Sequence, residues 1–448
     1  MGDFITTSDL PARKKAKAYI PGVIKNNRRL YEVLPDNSWK GRRCFIIGGG
    51  PSLRGFDFSQ LKGELVIAVN RAFEKIDAAI MVSQDARFWG WIENEKLGKD
   101  SKRKFNEYKG LKVWIQTTWM QGGGFPFPED IYTIKSTGSR EMAFNSKNGL
   151  PSCTNSGLNA LCLAACLGAN PIYLLGFDMK GEKGKAAWWH SGYPEVQNEE
   201  MYKRLMVPNF ELFASSIKKA GFKVINLNPD SKLNCFEFGR FEDIKKVKRP
   251  LITGCYTKDT KYEDEIKRLE KSLIRFGLEY YFEGIENTGS WRKNVHQKVC
   301  FVQRCLEKFD RDIIQMDSDC EIIKFPELFD QLQEYDVGVH ITPRETFQHK
   351  GEWKTITDLV NVSVVYLKNC AEVKKMIDAW VKRDATLEDH IDDISFAKTL
   401  KEFKEIKILR FPDRYCHIFD RPLKEEPVIE LYQASRRLRV GIRQKENK

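Results

Sequence analysis

A chain of 448 residues with 42% hydrophobic and 30% charged residues is globular and too long for one compact core, so two domains are expected. No apolar run approaches the roughly 18 residues that would cross a bilayer. The start, "MGDFITTSDLPARKKAKAY", lacks the apolar core of a signal peptide, so a cytoplasmic protein is expected. The net charge of +12 favours polyanionic partners: nucleic acid, anionic lipid, or phosphorylated sugars and nucleotides. Its eleven cysteines include no CxxC pair, and their apolar settings read as small buried hydrophobes.

In chain order, a basic extension over 1–40 carries a short match to the N-myristoylation pattern from Gly2 to Thr6. Next comes "CFIIGGGPSLRGFDF", a buried strand emptying into Gly48, Gly49, Gly50, Pro51 and Ser52. Such a loop either cradles a phosphate on its backbone N–H groups or is a tight strand-to-helix turn; it has neither GxGxxG spacing nor a GK[ST] ending. "LVIAVNRAF" is a second strand ending in Asn70 and Arg71, and "AAIMVSQDARFW" a third ending in Ser83, Gln84 and Asp85. Polar clusters at strand ends mark where an open parallel α/β sheet binds its ligand. "SGLNALCLAACLGA" reads as a packed helix, with Ser156 and Gly157 presenting free N–H groups at its start. "NPIYLLGFDM" is a strand ending in Gly176, Phe177 and Asp178, whose carboxylate suits a ribose.

The ordered set "GGGPSL", "AVNRAF", "TNSGLNALCLAACLGANPIYLLGFDM", "WWHSGY" and "LNPDSKL" resembles the bacterial sialyltransferases and their relatives similar to 6-hydroxymethylpterin diphosphokinases. The resemblance implies a Rossmann-like nucleotide-binding domain over 41–248, with His190 as general base and Trp188 and Trp189 as stacking platforms. One departure is Gly49, where the sialyltransferases have Asn in "GNGPS".

A new apolar strand after "KKVKRP" opens a second domain over 249–425, followed by a basic tail over 426–448. "LITGCYTKDTKYEDEIKRLEKSLIRFGLEYYFEGI" reads strand, helix, strand, with Thr253 to Tyr256 at the first strand's end. "DIIQMDSDCEIIKFPELF" places Asp317 and Asp319 around Ser318 at a strand end, where both carboxylates can converge on one divalent cation. With the Lys298 helix before it, and "NVSVVYLKNCAEVKKMIDAW", "LEDHIDDISFAKTL" and "RFPDRYCHIFD" after it, this half resembles the GT-A nucleotide-sugar glycosyltransferases. The resemblance implies Mn²⁺ or Mg²⁺ on Asp317, Asp319 and His417, and a UDP-, GDP- or CMP-sugar donor. It places Lys298, Thr253 and Tyr256 near the donor, and Asp392 or Asp393 toward the acceptor.

The expectation is therefore an α/β protein of two Rossmann-like domains, the second of GT-A type, acting as a metal-dependent glycosyltransferase and in one version bifunctional. The acceptor is a bacterial or phage surface glycan or lipid-linked sugar, with the basic ends touching anionic membrane, or hydroxymethylated bases in phage-type DNA. Readings of another class are a pterin or nucleotide diphosphokinase and a non-catalytic nucleotide-binding protein.

Overall fold

The computed structural model describes residues 28–117, 127–142, 144–195, 197–349, 352–386 and 391–433, with backbone alone over 343–349 and 352–359. The match at Gly2 to Thr6 and most of the two basic ends lie outside the described residues. The chain divides into two compact units, one running to Gln60 and over Val66–Phe241, the other made of Leu61–Leu65 and the chain from Glu242 onward.

The first unit is built on β1 (Cys44–Ile47), β2 (Leu65–Val69) and β3 (Ile80–Ser83). Every residue of these three runs is buried, the signature of strands covered on both faces. Helices α1 (Ala86–Glu93) and α2 (Lys99–Glu107) follow, then β4 (Leu111–Gln116), β5 (Ile131–Lys135), α3 (Ser156–Cys166), β6 (Ile172–Leu175), α4 (Val207–Lys219), β7 (Val224–Asn226) and β8 (Glu237–Phe238). The sheet order is β5-β4-β3-β2-β1-β6-β7-β8, so the chain steps outward from β1 in one direction and from β6 in the other. The register pairs Cys44 with Ile172 and Ile47 with Leu175 in parallel. Helix α3 is buried along all eleven residues, which its Ala, Leu and Cys content allows. Asn155 starts it by accepting the Leu158 amide at 2.8 Å, a cap worth about 1 kcal/mol.

The second unit starts β9 (Leu251–Thr257), α5 (Tyr262–Arg275), β10 (Tyr280–Ile285), α6 (Trp291–Lys308), β11 (Ile313–Met316) and β12 (Cys320–Ile322). A long hairpin follows, β13 (Val337–His349) against β14 (Glu352–Leu367), then α7 (Ala371–Ala385), α8 (Asp392–Glu402), β15 (Ile408–Arg410), β16 (His417–Ile418) and β17 (Ile429–Leu431). The main sheet runs β10-β9-β11-β14-β13-β15, and β12, β17 and β16 make a small second sheet. Strand β11 is parallel to β9 and antiparallel to β14. Helices α6, α7 and α8 cover the main sheet through Val299, Val302, Met376, Trp380 and Phe396. Both units are thus α/β, as the alternation of apolar runs and amphipathic segments implies.

Candidate functional site

In the first unit the glycine loop closes on its own chain. The Gly48 amide donates to Leu175 O at 2.7 Å and the Gly50 amide to Gly176 O at 2.8 Å. The Asp178 carboxylate accepts the Ser52 amide at 3.0 Å and the Ser52 hydroxyl at 2.8 Å. A Cβ on Gly50 would lie 1.8 Å from Asp178 Oδ2 and 2.6 Å from Gly176 O; one on Gly48 would lie 2.7 Å from Gly176 O. The side chains are missing because β1 and β6 deliver two turns into the same space. Of the loop residues expected to cradle a phosphate, Gly48, Gly50 and Ser52 thus give their amides to the chain itself, and Pro51 has none to give.

Asp178, expected at a ribose, is buried and bonded to Ser52, and burial raises its pKa against those hydrogen bonds. Gly176 has φ +70° and faces Leu53, where a Cβ would lie 2.7 Å from Cδ1. Gly157 packs on Phe177 in the same way, at 2.7 Å from Cε1. Asp85 caps α1 through the Arg87 amide at 2.9 Å and pairs with the Arg87 guanidinium. The Ser156 hydroxyl accepts the Gln84 amide at 3.2 Å, tying the start of α3 to the end of β3.

The segment carrying His190 is fastened over these strand ends. Trp189 donates its amide to Gly49 O at 3.1 Å and its indole N–H to Gly48 O at 3.0 Å. Arg71 binds Ser191 Oγ at 3.0 Å, Arg54 binds Trp188 O, and Glu182 holds Arg54. A Cβ on Gly49 would lie 3.0 Å from Trp188 Cδ1 and 3.4 Å from His190 Nε2, so Trp188 and His190 border the space an asparagine would enter. Arg54 was missed in the sequence. Arg71 was read as part of a strand-end cluster, but nothing local says that Ser191 and Gly192, two of its partners, lie 120 and 121 residues on.

His190, expected as a general base, is held within its own loop. Its Nδ1 accepts the Gly192 amide at 3.0 Å, so Nδ1 carries no proton and the neutral ring carries it on Nε2. Nε2–H is buried without a partner, as is Asn70 Oδ1, on a residue held at φ +50°. The ring therefore offers a donor, not a lone pair. Burial, with the Arg71 charge, pulls its pKa down to about 3. Folding thus releases a proton below about pH 6.5, so stability present above that pH is lost as the pH falls toward 3. Denaturant midpoints at pH 7 and 4.5 should show wild type losing about 2 kcal/mol more than His190→Gln. Equal losses would mean that the ring titrates normally.

In the second unit three groups, Asp317, Lys298 and Asp392, meet at the carboxyl end of β11. Asp317 donates its amide to Ser363 O at 2.9 Å and accepts the Cys320 amide on its carbonyl at 3.1 Å, making a tight turn through Ser318 and Asp319. Lys298, from the middle of α6, places Nζ 2.9 Å from Asp317 Oδ1 and 2.5 Å from Asp392 Oδ2 on α8. Burial pulls the lysine pKa down, and the two carboxylates overcome this and hold it well above its ordinary value. Asp393 turns the other way, accepting the Val362 amide of β14 at 2.8 Å; burial, then Asp392, raises its pKa. Asp392 therefore faces the cluster, while Asp393 braces a strand.

Two expected members, Thr253 and His417, lie apart from this cluster. Thr253 is fully buried in mid-strand, its hydroxyl 3.3 Å from Gln315 Oε1, because β9 runs on to Thr257. Tyr256 lies near that strand's end and is partly exposed. His417 donates Nε2–H to Arg421 O at 2.8 Å and has Nδ1 3.6 Å from Glu430 Oε1. Among the described residues no three His, Cys, Asp or Glu side chains are grouped to hold a metal ion, so the set Asp317, Asp319 and His417 is not assembled. Asp317 and Asp319 still offer the hard oxygen ligands that Mg²⁺ and Mn²⁺ take. No helix among the described residues is long and apolar enough to cross a membrane.

No family model and no curated protein matches the chain. Solved structures similar to it include a glycosyltransferase involved in glycosylation of the major capsid of PBCV-1, 14% identical over 42% of this chain and 97% of that one, TM-score 0.33. Another is the apo form of the glycosyltransferase GlyE of Streptococcus pneumoniae TIGR4, 15% identical over 42% of this chain and 55% of that one, TM-score 0.29. A third is the galactosyltransferase LgtC in complex with donor and acceptor sugar analogues, 12% identical over 41% of this chain and 87% of that one, TM-score 0.28. The sialyltransferase resemblance of the first unit rests on its motifs alone.

Proposed function

We propose that the second unit is a glycosyltransferase of GT-A type, moving a sugar from a nucleotide-sugar donor to an acceptor hydroxyl. The observation that carries this reading is the meeting of Asp317, Lys298 and Asp392 where β11 ends and the Asp-Ser-Asp turn begins. Three chain segments converge there on alternating charges. Asp317 and Asp319 would hold Mn²⁺ or Mg²⁺, which when bound supplies positive charge against the departing nucleoside diphosphate. Lys298 fixes the orientation of Asp317 and of Asp392 by pairing with both. Asp392, 10% exposed on its side chain, is the carboxylate placed to take an acceptor hydrogen bond.

The first unit, in this reading, positions a ligand and is not a second transferase, because His190 presents a donor where a general base needs a lone pair. Both acceptor classes suit the charge of +12. DNA binding that falls steeply with salt would select modified DNA, and cosedimentation with anionic vesicles a lipid-linked or surface glycan.

The test is donor binding across UDP-, GDP- and CMP-sugars with and without Mn²⁺, in wild type and in Asp317→Ala/Asp319→Ala. One donor should bind in the presence of metal, and the double variant should lose at least about tenfold in affinity while melting cooperatively. A folded variant with unchanged donor affinity would remove the assignment.

A further inference from the structure

Helix α6 carries a second chemical constellation, apart from the Lys298 contacts. His296 and Cys300 are one turn apart and so share a face. Cys300 Sγ lies 3.5 Å from His296 Nε2, and His296 Nδ1 lies 2.9 Å from Asp384 Oδ2 at the end of α7. Asp384 is fully buried and cannot swing: Arg292 grips it with two guanidinium nitrogens, at 3.0 and 2.6 Å, and the Ser395 hydroxyl donates to it at 2.7 Å. Burial alone would raise its pKa, but Arg292, Ser395 and His296 bring it below the usual carboxylate value. An ionised carboxylate only accepts, so Nδ1 carries the imidazole proton and the Nε2 lone pair faces the thiol. Nucleophile, base and orienting acid thus stand in sequence.

We propose that Cys300 is a modification site, a thiol that His296 deprotonates as it attacks a small electrophile such as a peroxide. With hydrogen peroxide, a sulfur electron pair bonds to one oxygen and the O–O bond breaks. The thiol proton passes to Nε2 and on to the departing hydroxide, leaving a sulfenic acid and water. Access is present, since Cys300 is partly exposed and the His296 side chain is 25% exposed. Cys153, Cys235 and Cys370 are also partly exposed, and the contact recorded for Cys153 is the Cys162 sulfur at 3.9 Å. Burial raises the Cys300 pKa, so the thiol rests protonated and its reactivity follows the histidine. Among the described residues, the charged groups facing the pair are Arg292 and Arg304 from α6 and Asp384 from α7; α8 contributes the uncharged Ser395.

The probe is iodoacetamide on the full chain, with labelling at each cysteine followed by mass spectrometry from pH 5.5 to 9. At pH 7 Cys300 should label at least about tenfold faster than Cys235 and Cys370, below the full power of an assembled general base. His296→Gln, a change at a partly exposed position, should bring Cys300 to the rate of Cys370. Equal rates in wild type, or no change in a folded His296→Gln protein, would each overturn the proposal.

Discussion

Lys298→Met should be the most damaging single change in the second unit, costing about 3 to 5 kcal/mol of stability and abolishing donor binding. The lysine side chain is 16% exposed and sits between Asp317 at 25% and Asp392 at 10%, so its removal leaves two carboxylates facing each other with Asp393 behind them. The cost is the uncompensated charge, more than the lost contact. Adding Asp392→Asn to Lys298→Met should therefore recover part of the loss, giving a favourable interaction term of at least about 1 kcal/mol in a double-mutant cycle. Strictly additive effects, measured as denaturant midpoints, would show that the lysine works through packing instead.

Gly50→Val should break the first unit rather than merely empty a ligand site. The new Cβ would overlap Asp178 Oδ2 at 1.8 Å and press on the Gly176 carbonyl at 2.6 Å, and Asp178 cannot yield without abandoning two hydrogen bonds to Ser52. Overpacking of this kind against backbone costs about 3 kcal/mol or more. Gly49→Ala meets only the edge of Trp188 at 3.0 Å and should cost much less. Hydrogen exchange at Gly50 and Ser52 separates the two causes: protection should collapse in Gly50→Val and persist in Gly49→Ala. Wild-type protection in Gly50→Val, with nucleotide binding lost, would return the loop to a ligand role.

The first unit's inner strands were legible because each is a short apolar run punctuated by polar or glycine residues, and α3 because it is a packed run of apolar and small residues. The Asp-Ser-Asp turn was legible for the same reason, as charge interrupting an apolar strand. The long β13–β14 hairpin was not read, since its alternation is loose and its partners are defined only by pairing. Partners within the chain could not be read from residue type: Asp178 bonds to Ser52, Thr253 to Gln315, and His417 to Arg421. Residue type announced that each was polar and placed near a strand end. Only the folded chain decides whether such a group is spent on the protein or left for something else.

The bond between Ser52 and Asp178 joins residues 126 positions apart, and it is what holds the turn after β1 in shape. During synthesis the first strand of the unit emerges long before the group that fastens its loop, with β2 to β5 and α3 intervening. The central β1–β6 pair therefore forms only after β2 to β5 have emerged, and the nascent chain carries an apolar strand edge through most of the unit's translation. A truncation anywhere before Asp178 leaves that edge permanently open, so the first unit tolerates no shortening from its carboxyl side past β6.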